Sequence, residues 1–185
     1  LYCYSCTSLT SIPNIVGLIE LNCDCCKKLV SIPNIEGLEY LSCHDCIMIT
    51  FIPNIASLKI LDCSSCYLLT EIPKFNSLEK LFCRQCMIII SIPNIESLKF
   101  LNCESTLIKS LPNFKNLEEL NCICCRILTS IPNIKSLKKL NCMACISLKS
   151  IPNIKGLKIL YCDNCISLKY IGNIDKLENL SCNNC

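Results

Sequence analysis

Apolar residues recur along this chain with a period of 20 residues, and each period has the same internal order. The unit reads Leu-x-Cys-x-x-Cys-x-x-Leu-x-x-Ile-Pro-Asn-Ile-x-x-Leu-x-x, and we number its positions 1 to 20. A fixed period in this range predicts a stacked architecture in which each unit contacts its neighbours. We therefore interpret residues 1–185 as one domain of nine full rows and part of a tenth. Position 1 of the successive rows is occupied by Leu1, Leu21, Leu41, Leu61, Leu81, Leu101, Leu120, Leu140, Leu160 and Leu180.

Each row predicts one short strand followed by a tight return. The segment Leu-x-Cys alternates apolar and polar residues, as a half-buried strand does, with positions 1 and 3 pointing inward. Positions 9, 12, 15 and 18 are apolar every three residues, which is typical of tight turns or short 3₁₀ pieces. Proline at position 13, from Pro13 to Pro152, excludes a regular helix or a continuing strand there. Rows stacked ~4.8 Å apart would join their strands into a parallel sheet and close the core.

The segment from Leu18 to Cys26, read as Leu-x-x-Leu-x-Cys-x-x-Cys, resembles the leucine-rich-repeat core Leu-x-x-Leu-x-Leu-x-x-Asn/Cys. The cysteine at position 6 is similar to that of the cysteine-containing subclass found in many F-box proteins, whereas Ile-Pro-Asn-Ile resembles short bacterial repeats. The heavy use of Ile, Asn and Lys is similar to repeat tracts of giant DNA viruses that infect amoebae. The resemblance implies an α/β-type solenoid, mostly strand and turn: a right-handed coil with a parallel sheet on one face and short 3₁₀ or extended segments on the other.

Row six is shorter than the others. It runs from Leu101 to Glu119, which is 19 residues, and it has Thr106 where the other rows have cysteine. The missing residue falls just after this threonine. We therefore expect a local bend or a shifted turn in row six.

The chain has 21 cysteines, and all except Cys25 and Cys124 occupy positions 3 and 6. The repeated Cys-x-x-Cys pairs match the spacing of a zinc site. However, every consecutive pair of rows matches it equally well, and stacked rows present two columns rather than a tetrahedron. We favour structural free thiols that behave as small buried hydrophobes with weak hydrogen-bonding capacity. These two columns contain Cys3, Cys6, Cys23, Cys26, Cys43, Cys46, Cys63, Cys66, Cys83, Cys86, Cys103, Cys122, Cys125, Cys142, Cys145, Cys162, Cys165, Cys182 and Cys185.

Disulfides and redox chemistry are the alternatives for these cysteines. Equivalent cysteines of adjacent rows would have parallel Cβ vectors ~4.8 Å apart, beyond the usual Cβ separation of about 3.8 Å in a disulfide. A bridge within one Cys-x-x-Cys pair is less constrained, although no thioredoxin-like context surrounds any pair. So many reduced thiols favour a cytoplasmic setting, which for a viral protein means the host cytoplasm or the virion.

Catalysis finds little support in the sequence. His44 is the only histidine, no glycine-rich phosphate loop occurs, and a serine or cysteine nucleophile would lack a second imidazole. We expect no enzyme activity, no cofactor and no bound metal. No run of about 18 apolar residues is present, so a membrane partner is not expected, and neither is nucleic acid.

Charge is uneven along the chain, although the net charge is only +3. Residues 1–99 contain 7 basic and 9 acidic side chains, whereas residues 100–185 contain 11 and 6. This difference could steer an acidic partner toward the C-terminal half, or the lysines could simply lie on a solvated face.

A protein partner would contact the outward positions 20, 2, 4 and 5 of each row, because the resemblance places binding on the sheet face. Phe82, Arg84 and Phe100 are of types enriched at interface hot spots. Large side chains in register on neighbouring strands can instead stabilise the sheet by pairing. Asn102, Asn121 and Asn141 could likewise form a hydrogen-bonded ladder. The candidate partner-binding residues are Tyr40, Ile60, Asp62, Phe82, Arg84, Phe100, Asn102, Ile123, Met143 and Tyr161.

Self-association is the main alternative function. Both ends of the chain fall within the repeat without polar caps, so we expect either a fragment of a longer protein or rows that stack end to end into filaments or a particle. A redox or zinc protein is the second alternative. Position 7 also forms an apolar stripe that could dock or self-associate if exposed: Ile47, Tyr67, Met87, Leu107, Ile146 and Ile166.

Overall fold

A computed structural model describes all residues 1–185 and shows a parallel β-solenoid. Nine strands form one sheet in the order of the chain, and two further strands form a small second sheet. The strands are β1 (Glu20–Asn22), β2 (Tyr40–Ser42), β3 (Ile60–Asp62), β4 (Lys80–Phe82), β5 (Phe100–Asn102), β6 (Glu119–Asn121), β7 (Lys139–Asn141), β8 (Ser150–Ile151), β9 (Ile159–Tyr161), β10 (Tyr170–Ile171) and β11 (Asn179–Ser181).

The main sheet keeps one register from end to end. Position 1 pairs with position 1 in every neighbouring row, as Leu21 does with Leu41 and Leu101 does with Leu120. Row one joins through a single bridge between Tyr2 and Asn22. The side chains of one position therefore form a column, and the short row six does not change the columns of the sheet.

One continuous apolar core runs through the coil. It contains 52 buried residues from positions 1, 3, 6, 9, 12, 15 and 18, so the predicted inward positions are confirmed. Phe75 and Phe114 replace isoleucine at position 15 and are also buried. Both cysteine columns lie inside this core except near the two ends of the chain. Burial of this apolar surface is the main force that holds the rows together.

The return of each row contains turns and irregular backbone, without α-helix or 3₁₀-helix, and only the returns of rows eight and nine include a strand, β8 and β10. The turns close with isolated bonds, such as that from the Leu29 N–H to the Cys26 carbonyl at 2.9 Å. Proline at position 13 disfavours helical backbone at the preceding residue, so these turns do not extend into a helix. The predicted 3₁₀ pieces and the α/β label are therefore not confirmed. No segment of the structure forms an apolar helix long enough to cross a membrane.

Row nine has a feature that the other returns lack. Gly172 stands where the earlier rows have proline, and its N–H donates to the Ile151 carbonyl at 2.8 Å. This bond continues the pairing of β8 with β10, which proline could not do because it has no N–H. A Cβ on Gly172 would lie 2.5 Å from the Asn153 backbone nitrogen. The second sheet thus forms at the row in which proline is missing.

Row six shows the shifted turn that its length predicts. In row seven the Leu128 N–H closes a turn on the Cys125 carbonyl at 3.1 Å, and row six has no equivalent bond between Ile108 and Thr106. Residues 107–111 form neither a turn nor a strand. The deletion therefore removes a turn beyond the end of the strand and leaves the pairing of β5 with β6 intact.

Candidate binding surface

The outward side chains at positions 20 and 2 form two columns on the sheet, which we call the sheet face. Phe82 and Phe100 lie on adjacent strands of this face, with ring centroids 4.9 Å apart and ring planes inclined by 38°. Both side chains are half-buried. The pair therefore stabilises the sheet and still exposes part of its aromatic surface to solvent.

This aromatic pair belongs to a larger half-exposed cluster. Ile60, Lys80 and Phe100 are in register in the position-20 column, and Tyr40 continues that column on β2. We call Tyr40, Ile60, Phe82 and Phe100 the aromatic patch. The same column has Glu20 before the patch and Glu119 and Lys139 after it. The aromatic patch thus encloses one charged side chain, Lys80, and is bounded at both ends by charged side chains along the sheet.

The polar residues at position 2 have a local structural role that the sequence reasoning missed. The Asn102 side-chain carbonyl accepts the Glu104 N–H at 3.2 Å, and an Asp62 carboxylate oxygen accepts the Ser64 N–H at 2.9 Å. Asn121 and Asn141 make the same bond within their rows. The ladder between rows that these asparagines could have formed is absent, because each oxygen caps the turn two residues later. Aspartate or asparagine at a strand end is the signal for such a turn.

Position 5 is wrongly assigned to the sheet face by the sequence. All ten residues at this position have left-handed backbone, with φ between 56° and 60°. In rows one to nine the N–H of this residue donates to a carbonyl of the next row, as in the bond from Gln85 to the Glu104 carbonyl at 2.9 Å. Asp45, expected on the face, lies on this turn and contacts Lys27 at 3.5 Å. The cause is the chain reversal that follows each three-residue strand.

The predicted partner-binding residues form two groups. Arg84 lies two residues after β4, and its guanidinium contacts the Glu104 carboxylate at 3.6 Å. Ile123 and Met143 lie in neighbouring rows just after β6 and β7, and Tyr161 ends β9. All three are half-buried. A shallow depression of about 160 Å³ separates the two groups and is lined by Phe100, Glu119, Leu120, Asn121, Lys139 and Asn141.

A column of paired charges borders the sheet face at position 19. Glutamate and lysine alternate there over most rows, and each ion pair joins two adjacent rows. This alternation along the sequence is the pattern that could have predicted the ion pairs. Such exposed pairs contribute little to stability, but they neutralise the lysines involved. The pairs are Glu39–Lys59 at 2.7 Å, Glu79–Lys99 at 2.9 Å, Glu118–Lys138 at 2.7 Å and Glu178–Lys158 at 2.8 Å.

A second apolar surface follows the turn at positions 7 and 8 in rows three to six, and we call it the edge stripe. The stripe extends the predicted position-7 column by adding position 8. Apart from Ile47, which is half-buried, its members are between 41% and 46% exposed. Ile146 and Ile166 of the predicted column are exposed but lie in later rows. The edge stripe consists of Ile47, Met48, Tyr67, Leu68, Met87, Ile88 and Leu107.

The cysteines form a hydrogen-bonded ladder through the core. Each position-6 thiol donates to the position-3 carbonyl of the preceding row, as Cys46 does to Cys23 at 3.0 Å and Cys66 to Cys43 at 3.2 Å. Several position-3 thiols donate to the next row, as Cys23 does to the Ser42 carbonyl at 3.3 Å. All 21 cysteines are free. A cysteine thus fills apolar space and supplies a donor to a backbone carbonyl at the same time.

Burial changes the acidity of the position-3 thiols. A hydrogen bond to the position-6 thiol of the next row and burial both raise the pKa of Cys43, Cys63 and Cys122 well above its usual range. Burial is the largest cause that raises the pKa of Cys83. Cys83 lacks the hydrogen bond to a position-6 thiol because the next row has Thr106 at that position. Since a thiolate is the reactive form of cysteine, these groups are chemically quiet near neutral pH.

Thr106 interrupts the ladder in row six. Its hydroxyl donates to the Cys103 carbonyl of its own row at 2.7 Å rather than to the preceding row. The Cys103 carbonyl also accepts a hydrogen bond from the Cys125 thiol at 3.1 Å. No side chain donates a hydrogen bond to the Cys83 carbonyl. No group of three or more His, Cys, Asp or Glu side chains in the structure is arranged to hold a metal ion.

Comparisons with known proteins add a structural neighbour. Neither family models nor curated proteins give a match to this chain. Among solved structures, the chain is similar to a leucine-rich repeat protein from Bacteroides ovatus, with 15% sequence identity and a TM-score of 0.33. The similarity covers 95% of this chain and 75% of that protein.

Proposed function

We propose that this chain is a non-enzymatic protein-binding scaffold that engages its partner through the sheet face. The aromatic patch is the observation that supports this proposal. Tyr40, Ile60, Phe82 and Phe100 lie on four neighbouring strands, β2 to β5, and each keeps part of its side chain in solvent. Aromatic and aliphatic side chains at the centre of a contact provide most of its binding energy.

The surroundings of the patch suit a protein interface. Lys80 and Arg84 lie beside the aromatic rings, and the paired charges of position 19 border them. An apolar centre with a polar rim is the usual anatomy of a protein contact. The strands are fixed by pairing on both sides, so little conformational entropy is lost when a partner binds.

A photo-crosslinking amino acid at Lys80 tests this proposal in cells that express the chain. We expect one discrete protein adduct, and we expect the double substitution Phe82→Ala/Phe100→Ala to abolish it. The matched control places the same crosslinker at Asn54, an exposed residue on the opposite side of the coil, and should not give that adduct. Identical adducts from both positions, or an adduct unaffected by the double substitution in a chain with native circular dichroism, would contradict the proposal.

Self-association is a second candidate function, and the edge stripe favours it. Six of its side chains are more than 40% exposed in four adjacent rows. Together they make a patch of a few hundred Å², which on soluble proteins often marks a contact site. Sedimentation velocity over a hundredfold concentration range should show a rising average mass, and Leu68→Glu/Ile88→Glu should abolish the rise. A monomer at all concentrations would eliminate this candidate.

The same proposal places the chain in a reducing, cytoplasmic compartment, because its thiols serve as hydrogen-bond donors only in the reduced form. Protein purified from its native source under anaerobic conditions should give 21 titratable thiols after denaturation, and no zinc. Fewer thiols, or stoichiometric zinc, would instead favour the redox or metal alternative.

A further inference from the structure

The side of the coil opposite the sheet differs in charge between rows one to five and rows six to nine. This back face comprises positions 10 to 17 of each row. In rows one to five it carries one lysine, Lys74, and three glutamates, Glu36, Glu71 and Glu96. In rows six to nine it carries a single acidic residue, Asp175. The lysines of these later rows, which we call the back patch, are Lys109, Lys115, Lys135, Lys149, Lys155, Lys169 and Lys176.

The back patch is not neutralised within the chain. All seven lysines are exposed, and none lies within ion-pair distance of a carboxylate. Four glutamates in the C-terminal half of the chain form ion pairs with basic residues outside the back patch: Glu104, Glu118, Glu119 and Glu178. Asp163 accepts bonds from Ser181 and Asn183 instead. The positive charge of the C-terminal half is therefore concentrated on one surface.

The arrangement of these lysines is unfavourable for the isolated chain. Lys115, Lys135 and Lys155 occupy position 16 in three consecutive rows, so their side chains start ~4.8 Å apart. Like charges side by side on neighbouring rows repel one another. Glu96 and Asp175 flank this column, but neither carboxylate forms an ion pair with it. An anionic partner would relieve the repulsion.

The polar residues between the lysine columns indicate what kind of anion fits. Positions 11 and 14 carry serine and asparagine in rows six to eight, between lysines at positions 10 and 16. A groove of about 310 Å³ lies between Asn133 and Asn153 and is walled by Lys135 and Lys155. Amides offer donors and acceptors, which match the N–H and C=O groups of a peptide, whereas a phosphodiester backbone offers only acceptors. In rows six to nine the back face has no arginine and one exposed aromatic residue, Tyr170, so base stacking has little support there.

We propose that the back patch binds an acidic segment of extended polypeptide, whose carboxylates contact the lysines while its backbone contacts the asparagine column. This surface is separate from the sheet face, so the chain can hold an acidic segment and another partner at once. The binding is mainly electrostatic and therefore weakens as salt is added.

A fluorescent octapeptide of alternating glutamate and serine tests the proposal by anisotropy with the full chain. Substituting Lys115, Lys135 and Lys155 by glutamine should weaken binding about tenfold at low salt, if each exposed contact contributes about 0.5 kcal/mol. The matched control substitutes Lys59, Lys99 and Lys138 by glutamine, which removes the same charge from lysines that are already paired. We expect the control to weaken binding less than about threefold.

The outcomes separate the proposal from its rivals. Selective weakening by the back-patch variant, with both variants melting within a few degrees of the parent, supports it. Equal weakening by both variants, or no binding of the peptide, overturns it. Tighter binding of an eight-nucleotide poly-uridine or of phosphatidylserine vesicles than of the peptide also overturns it, because the patch would then be a nucleic-acid or membrane surface.

Discussion

Rows six and nine depart from the repeat in different layers of the coil. Row six lacks one residue and has Thr106 in the cysteine column, which interrupts the thiol ladder but not the sheet. Row nine keeps the ladder, as the bond from Cys165 to the Cys142 carbonyl at 3.0 Å shows, but gains a second sheet through Gly172. The ladder and the return are thus set by different positions, and each can change without disturbing the main sheet.

High pH should disrupt the ladder in every row, and this is the largest effect we predict. Eight position-3 thiols are fully buried, and their pKa is raised above the usual value of 9.0, to about 12 for Cys162. These thiols stay protonated in the fold while the unfolded chain loses protons, so their contribution is intact below pH 9 and decreases as the pH rises toward the folded pKa. Each such thiol loses about 1.4 kcal/mol per pH unit above pH 9. Hydrogen bonds lower the pKa of the position-6 thiols Cys46, Cys125 and Cys165, whose ionisation offsets part of this loss, but the eight position-3 thiols outnumber them.

Urea denaturation between pH 7 and pH 10.5 checks this expectation, with the midpoint falling steeply above pH 9. A variant with Cys43, Cys63 and Cys83 replaced by alanine is the control. It starts less stable but should lose stability more slowly with pH, since five such thiols remain. A midpoint that is constant through pH 10 would mean that the buried thiols are not the linked groups.

Gly172→Ala tests the second layer, the return of row nine. The added Cβ would meet the Asn153 and Pro152 backbone at 2.5 to 2.7 Å, so the small sheet must shift, and we expect a loss of about 2 kcal/mol in unfolding free energy. Gly156→Ala is the matched control, because its Cβ meets the Lys135 carbonyl oxygen at 3.3 Å and backbone φ there is ordinary. Equal losses in thermal melts of the two variants would contradict the role of Gly172.

Single changes in the ladder compare an ordinary row with row six. Cys66→Ala removes a buried sulfur and the donor to the Cys43 carbonyl, and should cost about 2 kcal/mol. Thr106→Val keeps the shape and removes only the hydroxyl, while the Cys103 carbonyl keeps the Cys125 thiol. It should cost about 1 kcal/mol or less. Chemical denaturation measures both, and a larger loss at Thr106 would show that row six depends on its own hydroxyl more than the ladder depends on each thiol.

The sequence predicts the inward layer well and the turns poorly. The period and the apolar spacing predict which side chains face the core, because the same positions are apolar in every row. The second sheet could have been inferred only from Gly172, a single missing proline. The left-handed backbone at position 5 gave no signal, since serine occupies it three times, cysteine and asparagine twice each, and aspartate, glutamine and alanine once each. The variable positions of the sheet face likewise indicate where a partner could bind but not which one.

Position 5 offers the smallest prediction, and it applies equally to ordinary and unusual rows. Ala144 has φ of 56°, a conformation that alanine adopts with strain and asparagine tolerates. Asn164 already occupies the equivalent position in row nine and pairs with Asn184 at 3.1 Å. Ala144→Asn should therefore stabilise the chain by about 0.5 kcal/mol, and Asn164→Ala should destabilise it by at least as much. Matched shifts of opposite sign in urea midpoints would show that the turn, rather than the neighbouring strand, sets this energy; shifts of the same sign would refute it.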